Sequence, residues 1–232
     1  MKKFAVVLVA LVALSAAGPA SALEVSGDAY VGVSSKYLWR GFDLSPDDAF
    51  VVQPGADVSI GGFTVSWWGN MSENTGEMNE VDLTLDYSAD LGDLVSVSVG
   101  NILYDVDGLK DTNELYLGVS LNTLLSPSLT GYYDYDEFDG NYYLVLGIGH
   151  DFEINDRLSA SVGVTGSYLH DDALDDSWLH IAELTAGVDY AITDKISAGV
   201  SALYFTKLDD KAEDYTGEKD GLTGALTVAV SF

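Results

Sequence analysis

Nine acidic side chains fall within short segments where apolar and polar residues alternate: Asp28, Asp57, Glu80, Asp82, Asp86, Glu114, Asp134, Glu183 and Asp189. Carboxylates can attract cations, hold a metal or act as acids and bases. The chain's three imidazoles are His150, His170 and His180. Strand periodicity puts His150 near a short turn, His170 in a loop and His180 on the apolar face of a strand. None is then aligned with a serine and an acid, the arrangement hydrolysis needs, so no enzyme is expected. Asp105-Val106-Asp107-Gly108 and Asp134-Tyr135-Asp136 leave the EF-hand pattern incomplete, and no cofactor or metal site is expected. The chain has no cysteine, which excludes disulfides, thiolate metal sites and a lipid-modified cysteine.

The elements carrying these acids have a period of two. Val81, Leu83, Leu85 and Tyr87 alternate with Glu80, Asp82, Thr84 and Asp86, and Leu226, Val228, Val230 and Phe232 alternate with Thr227, Ala229 and Ser231. Side chains alternate across a strand, so each segment has one apolar face and one small or polar face. About twelve strands are expected, near 25–35, 50–60, 63–71, 80–89, 94–104, 113–121, 128–135, 142–152, 158–168, 179–192, 196–205 and 222–232. Short turns alternate with longer, mostly acidic loops such as 36–49 and 206–221. Outward aromatics form two bands, Phe63, Tyr87, Phe152, Tyr190 and Phe232 at the short-turn end and Phe50, Trp67, Tyr135, Tyr142, Tyr168 and Tyr204 toward the long-loop end.

Lys2 and Lys3, an apolar run from Phe4 to Ala17 and Ala20-Ser21-Ala22 have the three-part layout of a secretory signal peptide. Residues 1–22 are expected to be cleaved, leaving residues 23–232 as one domain. The full chain carries 37 acids against 10 lysines and arginines, and loss of Lys2 and Lys3 takes the net charge from −27 to −29. Yet 47% of residues are hydrophobic. Such charge and such hydrophobicity coexist when they occupy different surfaces, as in a barrel with lipid outside and water within. Nucleic acid is excluded as a partner by charge repulsion. The expected fold is all-β: a transmembrane, up-and-down antiparallel barrel in the outer membrane of a Gram-negative bacterium. A secreted β-sandwich would also alternate, but it predicts neither the aromatic bands nor the turn-and-loop asymmetry. Partners would be outer-membrane lipid and lipopolysaccharide, with divalent cations bridging the acidic loops as a lesser reading.

The strand ending at Phe232 resembles the signal read by the outer-membrane assembly machinery. Residues 33–45, Val-Ser-Ser-Lys-Tyr-Leu-Trp-Arg-Gly-Phe-Asp-Leu-Ser, resemble the N-terminal signature of the TorF family of putative porins, with Ser35, Tyr37, Trp39, Arg40, Gly41, Phe42 and Ser45 at its characteristic places. Gln53-Pro54-Gly55, Gly62-Phe63, Trp67-Trp68-Gly69 and Glu80-Val81-Asp82 continue the likeness, which covers mainly residues 25–90. The resemblance implies a porin but no particular solute.

The inward residues are mostly Ser, Thr, Gly and Ala, and no lysine or arginine falls clearly on an inward mid-strand position. The nine acids must then stay hydrated or bind cations, which gives a wet lumen that Tyr30, Tyr116 and Tyr143 could narrow. The expected function is passive, cation-preferring diffusion of small hydrophilic solutes, with Asp82 and Glu114 as the selective pair. The alternative is a narrow or plugged barrel with a structural, adhesive or lipopolysaccharide-contacting role. Arg40 is expected to fold over the mouth, pinned by carboxylates such as Glu80 or Asp82.

Overall fold

The computed structural model describes residues 25–45 and 49–232; the expected signal peptide lies outside them. Twelve strands form the wall: β1 (Val25–Ser34), β4 (Val51–Ile60), β5 (Phe63–Ser72), β6 (Met78–Leu91), β7 (Val95–Val106), β8 (Thr112–Leu121), β9 (Ser128–Asp134), β10 (Tyr142–Asn155), β11 (Leu158–Asp171), β12 (Asp176–Ala191), β13 (Ile196–Lys207) and β14 (Asp220–Ser231). Consecutive wall strands pair antiparallel, and β1 pairs with β14 to close the barrel. Closure leaves no unpaired backbone edge, which a hydrocarbon environment would penalise heavily.

Two further strands, β2 (Leu38–Trp39) and β3 (Phe42–Asp43), form a separate hairpin within the β1–β4 connection, and one short helix, α1 (Asp210–Thr216), lies between β13 and β14. These three elements were not expected from periodicity. Two-residue strands have no period to read, and α1 is defined by its caps. The Asp209 side chain accepts from the Lys211 backbone N–H, and Gly217 ends the helix in the left-handed conformation.

Alternation sets the two faces. Leu226, Val228 and Val230 of β14 are exposed on the outside, whereas Thr227, Ala229 and Ser231 share the lumen register. The seam closes on Phe232, whose N–H donates to the Gly27 carbonyl at 2.9 Å and whose carbonyl accepts from Gly27 N–H at 3.2 Å. Its ring covers Gly27, where a β-carbon would lie 2.6 Å from the ring's Cζ.

Candidate functional site: the hairpin in the lumen

The β2–β3 hairpin crosses the lumen at the long-loop end, where it meets inward side chains from β5, β6, β8, β9, β10 and β12. Its entry is fixed by Ser35, whose N–H donates to Gly224 O at 2.9 Å and whose Oγ accepts from Gly224 N–H at 3.0 Å. Ser45 closes the other side, with its Oγ accepting from Tyr37 N–H at 2.6 Å and its own N–H donating to Asp43 Oδ1 at 3.0 Å. Lys36 Nζ reaches Asp43 Oδ2 at 2.6 Å. Tyr37 is buried, 5.4 Å centroid to centroid from Trp68, and its hydroxyl bonds Glu80.

Arg40 is at the tip. It lies in the left-handed region, φ 48°, and Gly41 follows at φ 85°. Two such residues in succession turn the chain inward, and the non-glycine one is strained. Arg40 was expected beside Glu80 or Asp82; it instead forks onto Glu114, with Nη1 to Oε1 and Nη2 to Oε2 both 2.7 Å. The Arg40 and Glu114 side chains are only 15% and 9% exposed. Tyr104 Oη also donates to Glu114 Oε2, at 2.9 Å. The guanidinium carbon lies 4.6, 4.8 and 4.5 Å from the ring centroids of Trp39, Tyr132 and Tyr143. A planar cation suits this cage, since its faces stack while its edge makes two parallel bonds.

His180 fixes the tip's backbone. Its Nδ1 accepts from Trp178 Nε1–H at 2.9 Å, so its Nε2 carries the proton and donates to Arg40 O at 2.9 Å. It was expected on the lipid-facing register. A bulge overturns that: between the pairs Gly166↔Ala182 and Tyr168↔Leu179, β11 supplies Ser167 but β12 supplies both His180 and Ile181. The extra residue flips the register, and both side chains are buried inside. His170 belongs to β11 rather than to a loop; it stacks on Tyr142 at 4.7 Å, and its Nδ1 lies 2.8 Å from Ser177 Oγ. His150 Nδ1 meets Leu124 O in a short turn at 2.7 Å.

The nine acids divide by depth. Glu80, Glu114 and Asp134, toward the long-loop end, are buried and hold chain segments in place. Asp134 accepts from Thr112 Oγ1 at 2.6 Å and from the N–H groups of Asp136 and Phe138 at 2.9 and 3.2 Å, so it anchors the β9–β10 loop instead of meeting lumen water. Asp82 sits below them with Oδ1 buried and unpartnered. The expected selective pair is therefore split, because Glu114 is neutralised by Arg40. Glu183 accepts from Thr165 Oγ1 at 3.0 Å. Asp86 accepts from Ser88 Oγ at 2.6 Å and from Tyr116 Oη. Asp28 and Asp57 are direct cross-strand partners in the lumen register, and Asp189 pairs with Gly199. Of the nine, Glu114 alone has an arginine or lysine at ion-pair distance among the described residues.

Two of the tyrosines expected to narrow the lumen lie flat instead. A β-carbon on Gly55 would be 2.3 Å from Tyr30 Cζ, and one on Gly100 would be 2.5 Å from Tyr116 Cζ, so each ring covers a neighbouring glycine. The constriction comes from Arg40 and the rings of Trp39, Tyr104, Tyr132 and Tyr143. Tyr104 and Tyr132 share the inward alternation of Asp82 and Glu114, a signal present in the sequence. Below the hairpin, a hydroxyl-rich cavity of about 400 Å³ is lined by Ser88, Asp90, Ser96, Ser98, Ser120 and Thr130 among others.

No protein-family model and no curated protein matches the chain. Among solved structures, the NanC porin aligns with 89% of this chain and 98% of its own, at TM-score 0.58 and 15% identity. An outer-membrane channel from Pseudomonas putida F1 covers 93% of this chain and 100% of its own at TM-score 0.48 and 12% identity. The outer-membrane channel DcaP of Acinetobacter baumannii has the same coverage at TM-score 0.45 and 10% identity. The likeness to NanC is one of fold. With the closed twelve-strand wall, it makes this chain a closed antiparallel β-barrel of the fold that NanC has.

Proposed function

We propose that the protein is a passive channel for small hydrophilic solutes, preferring cations, with its conductance limited by the β2–β3 hairpin. The observation that carries this reading is the lower lumen. Asp28, Asp57, Asp86 and Asp189 share it with serine, threonine and glycine, and none of these acids has an ion-pair partner among the described residues. Carboxylates placed side by side without basic partners hold water and concentrate cations. The likeness of residues 33–45 to the TorF signature supports a porin-like role. In this reading residues 1–22 direct export and are removed, the strand ending at Phe232 is recognised during assembly, and the acidic loops meet lipopolysaccharide.

The caged Arg40 supports a second reading, a plugged barrel with a structural role. Planar-bilayer recording of the refolded protein separates the two. The channel reading expects discrete conductance steps and a cation-directed reversal potential in a KCl gradient. Silence from both the parent and Arg40→Ala would leave the plugged barrel standing, and an anion-directed potential would refute the selectivity.

A further inference from the structure

Above the hairpin, at the long-loop end, a cup of about 380 Å³ has an aromatic and aliphatic wall that includes Trp39, Phe42, Tyr104, Leu109, Phe138 and Tyr215. Leu109 and Phe138 are exposed on it. The mouth of a water path would be expected to be polar, and an exposed apolar concavity rimmed by polar loops marks a binding surface.

The charged residues lining the cup indicate what it could hold. Arg40 is paired with Glu114, and Lys110 with Glu137 at 2.7 Å. Glu80 is bonded by Tyr37, and Asp134 by Thr112 and two backbone N–H groups. His180 has both ring nitrogens engaged. Every basic group facing the cup is thus already paired among the described residues, and the two carboxylates there without an ion pair, Glu80 and Asp134, are buried and already hydrogen-bonded, so an anionic ligand would lose its hydration without gaining a counter-ion. A neutral ligand loses little and gains ring faces. Size sets the class further: a dry cavity of about 150 Å³ already accepts benzene, so this cup has room for a two-ring molecule.

We propose that the cup is a binding site for a neutral aromatic small molecule of one or two rings. The site lies outside the hairpin, and its occupation does not depend on whether the barrel conducts.

Dansylamide, a neutral two-ring fluorophore that accepts energy from tryptophan, is a suitable probe because Trp39 lies in the wall. Titrated into the refolded protein, it should give saturable sensitised emission that non-fluorescent benzamide displaces. The anionic dansyl sulfonate should bind at least about tenfold more weakly. Leu109→Ala/Phe138→Ala, two exposed loop positions, should weaken dansylamide by about tenfold through lost apolar contact. Leu124→Ala, in a short turn at the opposite end, should leave binding unchanged. Leu109→Asp provides a second check on the same wall, should the double variant refold poorly. Non-saturable emission, equal binding by the anion or unchanged affinity in the wall variants would overturn the proposal. Conductance without this binding would remove the site and leave the channel reading intact, and binding without conductance would do the reverse.

Discussion

A guanidinium enclosed in a protein loses hydration worth several kcal/mol, and it persists there when a charged partner and close contacts compensate. Arg40 meets that condition with the two 2.7 Å bonds to Glu114 and three ring faces. Removing one partner is costlier than the pair's net worth, because the other is left buried and unpaired. Arg40→Ala should therefore destabilise the seated hairpin by about 3 kcal/mol or more. In bilayers it should give larger or noisier conductance than the parent. Arg40→Lys should behave more like the alanine variant than like the parent, since an ammonium cannot fork onto a carboxylate while stacking between rings. An unchanged current in both variants would show that the hairpin does not limit flow. Tyr37, Leu38 and Trp39 made an inward fold of Arg40 readable from its neighbours. Its partner was not readable, because Glu114 lies 74 positions away and only barrel closure brings the two together.

At the scale of the element, the hairpin is held by its turn and by its base. Gly41 at φ 85° has little room: a β-carbon there would lie 3.2 Å from Ile181 Cγ2 and 3.3 Å from Thr216 Cγ2. Gly41→Ala should cost about 1 kcal/mol or more from backbone strain alone and should loosen the plug while Arg40 is intact. Limited proteolysis within residues 36–45 of the refolded protein would report this, and equal cleavage of parent and variant would contradict it. The base responds to pH. Burial would push the Asp43 carboxyl up, but the Lys36 ammonium and two bonds from Ser45 outweigh it and hold the group below the usual carboxylate range. A depressed folded value means that the brace is fully present above the unfolded pKa, about 3.9. It is lost as pH falls through the lower folded value. Acidification should therefore leave the Asp43 brace in place at pH 5 and weaken it only below about pH 4. In Asp43→Asn this acid-induced loosening should be absent, with the hairpin already looser at pH 7. The wall strands were legible to within a few residues because ten-residue alternation is a strong signal. The bulge at His180–Ile181 was not, since one extra residue leaves no mark on composition yet reverses every side chain beyond it.

At the scale of the molecule, a net charge of −27 fits the proposed channel, in which apolar residues face lipid while acids face water in the lumen and loops. In the proposed channel, selectivity would follow from which of those acids stay unneutralised. Glu114 is paired with Arg40, and Glu80 and Asp134 are buried and hydrogen-bonded within the chain, so the acids left open to a passing ion include those of the lower lumen. There Asp28 and Asp57 face each other across β1 and β4. Like charges directly opposite on a sheet repel, and a cation passing between them relieves that repulsion. Asp28→Asn/Asp57→Asn should therefore reduce cation preference, measured as the reversal potential in a KCl gradient, and should leave the fold intact or slightly more stable. Asp82→Asn/Glu114→Gln should act differently, because Glu114→Gln leaves Arg40 without its carboxylate and so changes conductance as well as selectivity. For the parent, preference should fall as KCl rises from about 0.1 M to about 1 M, where the Debye length shrinks from roughly 10 Å to 3 Å. If Asp28→Asn/Asp57→Asn kept the parent's reversal potential at low salt, the lower lumen would not be the selective region.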